Sequence, residues 1–335
     1  MVKLFISILN IIVLFLMPDL RNVLLELHHS IGEIPFLAFT LLIVIVVSFG
    51  AIPRSTELAT SSAAGLAGSL WSNNQRTLVI NSTTNLPELG IMLVSLFGLG
   101  RLGGIATPLG SNLSNIYLIF LVSPIALICK WILKLKNRNI KFLMVLAKRE
   151  KKLIYWHMMM SLLMFGFASS VYWILTGTCQ FFHHSRVSQG LDQTSLFTAT
   201  TVCFCGVGIF LFFESKLKYS RPELYEDIAD ATFEASWSRF FLGVVVLCLS
   251  CYILNDFFAV WSELYQAKFV QYSLFPTIHY FVGSLISSLP EMTVAVGNYE
   301  RLSSPDLNTA LGSASQSCMT NLLIAGLGGQ YQSCI

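Results

Sequence analysis

Two carboxylates stand where an apolar chain has least reason to keep them. Glu88 lies in NSTTNLPELG (81–90) and Glu291 in GSLISSLPEM (283–292), each directly after a proline and each beside a run of aliphatic residues. A charge at the centre of a bilayer costs at least about 2.5–3.5 kcal/mol on insertion scales, so a pair in the same Pro-Glu context points to function. The proline removes a backbone donor and strands the carbonyl four residues earlier, here Thr83 and Ile286. Side-chain oxygens flank both breaks: Asn81, Thr84 and Asn85 in the first, Ser284, Ser287 and Ser288 in the second. Carboxylates, hydroxyls and freed carbonyls together suit a hard cation such as calcium, which takes about six to eight oxygens. Neither motif contains Cys or His, which argues against zinc or copper.

Each motif has a second part downstream at nearly the same distance. GSNLSN (110–115) follows the first and GSASQS (312–317) the second. Ser111 and Asn115 are one helical turn apart and share a face; Ser313 and Ser317 do the same, with Gln316 adjacent. LPELGIMLVS (86–95) is echoed by LPEMTVAVGN (289–298), and the helix before each copy carries an acid, Glu57 or Asp256. Those two acids are read as interfacial and are given no role in the site. The His183-His184 pair is read as part of a solvated loop.

The elements that must position these residues are apolar helices. The chain has 335 residues, 54% hydrophobic and only 12% charged, against about a quarter charged in soluble domains. Apolar runs fall near 3–20, 36–68, 77–99, 109–133, 153–177, 194–213, 239–266, 275–297 and 306–328. With about 20 helical residues needed per crossing, they make about nine transmembrane helices in an all-α integral membrane protein. The run 36–68 reads either as one long helix or as two elements broken at Pro53. The basic stretch 134–152, with Glu150 its one acid, is expected as a cytoplasmic loop; 214–238 then lies on the same side and the His183-His184 loop on the other. The net charge of +3 comes from loop residues and carries no nucleic-acid signal. The eight cysteines are scattered and read as small buried residues.

The two motif copies are separated by an odd number of spans and should enter the membrane in opposite directions. That is an inverted repeat, the architecture of secondary transporters, with the site near the midplane. The expected organisation is an extra N-terminal helix and external linker over 1–33, a first repeat over 34–213 and a cytoplasmic linker over 214–238. A second repeat follows over 239–335.

At these residues the sequence resembles the calcium/cation antiporter superfamily, which includes sodium/calcium and calcium/proton exchangers. The family's first-repeat pattern is G-T-S-x-P-E followed by G-S-N-x-x-N one helix later. Here the copies read T-T-N-L-P-E with GSNLSN, and I-S-S-L-P-E with GSASQS. The resemblance covers roughly 36–330. It implies a core of about ten helices in two inverted halves, with Glu88 and Glu291 as central calcium ligands. Thr84 and Ser287 would add oxygens directly on the ion, Ser284 and Ser288 would flank them, and Ser111, Asn115 and Ser313 would line the neighbouring sites. On this reading the chain stops about two helices short of the family core, so either it is a truncated product or a homo-oligomer or completing subunit supplies the rest.

The departures bear on the counter-ion. Asn85, where sodium-coupled members have serine, and Gln316, together with Ser317 in place of an acid or amide, favour protons; the SLPE context favours sodium. The expected function is therefore exchange of calcium for sodium, with calcium/proton exchange and a non-transporting regulatory relative as alternatives. The partners are calcium, sodium or protons, and the lipid bilayer, with no resident cofactor. A membrane enzyme would need a nucleophile–base pair or a metal centre near the motifs, and the sequence offers neither.

Overall fold

The structure is a computed structural model that describes residues 20–70, 84–93, 96, 103–135, 137–176, 193–225, 236–269 and 282–333. Every regular element among them is helical. Helix α1 covers 20–31. Helix α2 (Glu33–Val46) passes through a π turn (Val47–Ala51) into α3 (Ile52–Leu70) without a break. The first motif helix, α4, is Leu86–Met92. Helix α5 (Gly103–Tyr117) runs through a second π turn (Leu118–Val122) into α6 (Ser123–Leu133). Then come α7 (Asn137–Arg149), α8 (Lys151–Thr176), α9 (Gln193–Ser220), a short 3₁₀ turn (Pro222–Leu224) and α10 (Trp237–Phe269). The second motif forms α11 (Ser284–Ser287) and α12 (Leu289–Tyr299), and α13 (Ser304–Ser333) follows.

Among the described residues four stretches are long and apolar enough to cross a membrane: Glu33–Ala63, Gly104–Leu133, Lys151–Leu175 and Gln193–Ser220. The run 36–68 is thus one helix and not two. Pro53 is accommodated by the π turn just before it, in which the Ile52 N–H reaches back five residues to the Val47 carbonyl. A wide turn gives the proline ring room that a regular turn would deny it. The same device recurs at Pro124, where the Ser123 N–H reaches the Leu118 carbonyl and the Ser123 hydroxyl donates to that carbonyl at 2.8 Å. The expected N-terminal helix at 3–20 and the His183-His184 pair lie outside the described residues.

One expectation fails on shape. The stretch 134–152 is not a loop: α7 occupies most of it, with Leu146 buried. Its lysines and arginines lower the hydropathy enough to hide an amphipathic helix.

Among the described residues the helices pack around three large apolar clusters and a small fourth one at Ala59 and Val244. One joins α5, α8, α9 and α13 through residues such as Leu109, Met164, Phe210 and Leu322. A second joins α2, α3 and α10 through Phe36, Ile52 and Leu254. A third gathers Trp131, Leu146, Leu224 and Tyr299 at one end of the molecule. The motif helices are shared between clusters, with Ile91 and Ile286 in the second and Met92 in the first. Cys203 and Cys318 are buried free thiols inside the first cluster, consistent with a packing role.

Candidate cation site

The two motifs adopt the same local geometry. Thr84 is helical, Asn85 is not, and α4 begins at Leu86; in the second copy Ser287 is helical, Ser288 is not, and α12 begins at Leu289. The interrupting residues have almost identical backbones, φ −83° and ψ 9° at Asn85 and φ −85° and ψ 1° at Ser288. Each motif places its proline, Pro87 or Pro290, in the first turn, where a missing N–H costs nothing. The next residue is the glutamate. The Asn85 carbonyl accepts from Leu89 N–H at 3.1 Å, and the Ser288 carbonyl from Met292 N–H at 3.3 Å. The break at proline is therefore one residue wide rather than an unwound stretch. Of the two carbonyls expected to be stranded, Thr83 lies outside the described residues, as does Asn81.

Both glutamates sit at the positive end of a helix dipole, a placement that favours a carboxylate. Glu88 and Glu291 are both wholly buried, and they are close enough to each other to repel. Each has a hydroxyl of the opposite copy beside it. Ser287 lies beside Glu88, together with Ser111, and Thr84 lies beside Glu291. Yet none of the four carboxylate oxygens has a hydrogen-bond donor in normal geometry among the described residues.

The remaining residues of the expected set close around this pair. Thr84, Ser111, Asn115, Ser284, Ser287, Ser288 and Ser313 are all buried. The Ser111 and Ser287 hydroxyls bond each other at 3.0 Å, and those of Ser114 and Ser284 do so at 3.1 Å. Both bonds join α5 of one copy to α11 of the other. The Ser313 hydroxyl donates to the Thr309 carbonyl at 3.1 Å, so it rests against its own helix. The Asn85 amide donates to the Ser317 hydroxyl at 3.1 Å. The equivalent positions of the opposite copies are reversed in chemistry: Asn115 of the first copy for Ser317 and Ser288 of the second for Asn85, and their side-chain polar atoms have no partner among the described residues. Among the described residues no group of three or more His, Cys, Asp or Glu clusters as a metal site. A cation here would rest on two carboxylates and neutral oxygens, which is calcium or sodium chemistry rather than zinc chemistry.

The structure adds residues that sequence reasoning passed over. Asn112, beside Ser111, and Asn321, one turn beyond Ser317, are fully buried, with both amide atoms unpartnered among the described residues. The signal for Asn321 was present: Ser313, Ser317 and Asn321 recur every four residues on one face of α13. His157 of α8 is buried against α13, with Nδ1 2.7 Å from the Ser315 hydroxyl and Nε2 3.0 Å from Asn308 Oδ1. Asn308 can only accept through that oxygen, so Nε2 carries the proton and Nδ1 accepts from Ser315. Glu214 of α9 accepts a hydrogen bond from the Gln316 amide. Glu57 is exposed, as expected of an interfacial acid. Asp256 is not interfacial: it is buried within the 33-residue helix α10.

In comparisons with known proteins, no protein-family model, no curated protein and no solved structure matches this chain.

Proposed function

We propose that this chain is a multi-pass membrane antiporter that exchanges calcium for another cation by alternating access, with Glu88 and Glu291 as the shared ion ligands. The observation that carries the reading is the exchange of hydroxyls between copies: Ser287, one turn before Glu291, faces Glu88, while Thr84, one turn before Glu88, faces Glu291. Two buried carboxylates ringed by hydroxyls and amides, with no donor in normal hydrogen-bond geometry among the described residues, are arranged to accept a positive ion. Binding calcium cancels the mutual repulsion that the empty pair retains.

The packing supports an inverted repeat. Helix α3 pairs with α10, α5 with α13, α4 with both α10 and α13, and α12 with α3. Exchanging the copies leaves much of that pattern unchanged. The end of α6 meets the start of the α12–α13 turn, where Lys130 Nζ lies 2.6 Å from Glu300 Oε2. The α5–α6 helix therefore runs toward the end from which its counterpart α13 departs. Opposed directions of equivalent helices are what an inverted repeat requires, and the site then lies at the repeat interface. The basic stretch 134–152 and the 214–238 linker also meet at that end through Arg221 and Glu150, 3.1 Å apart, as the charge rule requires of two loops on one side.

Sodium is the proposed counter-ion, because it can use the same ring of neutral oxygens. The proton-coupled reading is favoured by one contact: the bond between Asn85 and Ser317 uses both side chains at the position where sodium-coupled relatives carry an acid or amide. The test is uptake of radioactive calcium into vesicles reconstituted with the purified chain. Uptake driven by an outward sodium gradient at equal pH supports the proposal; uptake that ignores sodium and follows a proton gradient replaces the counter-ion. No uptake under either gradient removes the transport reading.

A further inference from the structure

The helix that sequence reading took for a loop presents an unusual surface. Helix α7 has 13 residues, about 20 Å at 1.5 Å per residue, too short to cross a hydrocarbon core about 30 Å thick. It joins two stretches of membrane-crossing length, ending at Leu133 and beginning at Lys151, so it returns the chain along the surface between them. Its inner face packs through Leu146 into the third apolar cluster. Its outer face is neither polar nor apolar. Met144 and Val145 are 54% and 63% exposed, and Lys141, Lys148 and Lys152 are exposed around them. Immediately before it, Leu133 and Leu135 are more than four-fifths exposed, and Leu135 has φ 53°, a left-handed backbone that a leucine rarely adopts. Nothing in water rewards a leucine held in that way.

Among the described residues the acids nearby are already engaged. Glu150 is paired with Arg221 and accepts from Ser304 at 2.8 Å, and Glu300 is paired with Lys130. The lysines of α7 make no such pair with any described residue. At the membrane edge of α8, Lys151 lies over the ring of Tyr155, 5.4 Å from its centroid, and Tyr155 is itself half exposed. An aromatic beside a lysine at the end of a span is a headgroup-level arrangement.

We infer that α7 lies in the membrane interface and binds anionic lipid headgroups, with Met144, Val145, Leu133 and Leu135 dipped into the acyl boundary and Lys141, Lys148 and Lys152 holding the phosphates. Mixed basic and apolar faces of this kind combine apolar burial with attraction to negative lipid. The inference rests on the membrane-spanning part of the proposed function and not on ion exchange.

The test uses the full chain reconstituted in phosphatidylcholine vesicles containing trace nitroxide-labelled phosphatidylglycerol or phosphatidylcholine. Electron paramagnetic resonance reports the lipid immobilised on the protein. The chain should immobilise the anionic label several-fold more readily than the zwitterionic one at low salt, and less selectively as salt rises. The variant K141Q/K148Q/K152Q should lose most of that selectivity while immobilising the same total lipid and keeping its helical circular dichroism. Equal immobilisation of both labels by the wild-type chain would overturn the inference, and so would a variant that keeps full selectivity. Selectivity that emerges only when the acids of segment 226–234 are neutralised would assign the lysines to that segment instead. Lipid selectivity without calcium exchange leaves the inference standing and removes the transport reading; exchange without selectivity does the reverse.

Discussion

Like charges in a water-poor interior persist only when something positive shares their space. Glu88 and Glu291 meet that condition only with a cation between them or protons upon them. Glu88→Gln or Glu291→Gln should therefore weaken calcium binding by at least about thirtyfold, the equivalent of the ~2 kcal/mol lost when one partner of a buried charge contact is removed. Exchange should vanish with the protein still in the membrane. Calorimetric calcium titration and uptake on the same preparation check this, and wild-type values for either variant would exclude that residue. The hydroxyls give a finer test. Thr84→Ala and Ser287→Ala should each cost about 1 kcal/mol of calcium affinity, or roughly fivefold. The exchange between copies also predicts which pairs are coupled. A double-mutant cycle on thermal melting should show Thr84 coupled to Glu291 more strongly than to Glu88, and Ser287 the reverse. Coupling within each copy instead would refute the crossed arrangement.

At the scale of elements, close approach of backbones decides the packing of the pair that frames the site. A Cβ added at Gly243 of α10 would sit 2.8 Å from both the Ala59 nitrogen and the Ser55 carbonyl oxygen of α3. Backbone cannot yield as a flexible side chain can, so Gly243→Ala should push the two helices apart and lower the melting temperature by several degrees. Gly297→Ala in α12, where nothing lies within 4 Å of the added atom, is the control and should leave melting unchanged. Melting of the two variants in the same detergent decides it.

Much of this level was legible in the sequence. The Pro-Glu pairs stood out because charge is scarce in apolar runs, and the Gly-Ser pairs because they repeat at matched distance. Helix α7 was hidden because four of its thirteen residues are basic, and hydropathy reads that density as loop. Asp256 was misjudged because its burial depends on which helices pack over it, which its place in the 239–266 run does not reveal. The crossing of Thr84 and Ser287 had no local signal at all. It depends on how two segments about two hundred residues apart in sequence meet, a property of tertiary packing.

At the scale of the whole molecule, one carboxylate ties an end of the helical bundle together. Glu150 links three parts of the chain: the α7–α8 junction, the 3₁₀ turn after α9 through Arg221 Nη1 at 3.1 Å, and the first turn of α13 through the Ser304 hydroxyl at 2.8 Å. Arg149 also donates to Ser304 at 2.7 Å, so the hydroxyl is held from both sides. Burial pushes the Glu150 carboxyl upward, but the Ser304 and Arg221 hydrogen bonds and the charges of Arg221 and Arg149 together outweigh it and leave its pKa below the usual carboxylate value. The sign follows. A carboxyl whose folded pKa is depressed contributes stability that is fully present above the ordinary glutamate value of about 4.3, and loses it as pH falls through the lower folded value. With Arg221 a third exposed, solvent screens the pair, and its worth is on the order of 1 kcal/mol. Glu150→Gln removes the charge and keeps the shape. It should lower the melting temperature by a few degrees at neutral pH, and the gap from the wild-type chain should close as pH drops below about 4. Glu88 and Glu291 titrate identically in both proteins and cancel in that difference. A gap that stays constant down to low pH would mean that Glu150 acts through packing alone and not through its charge.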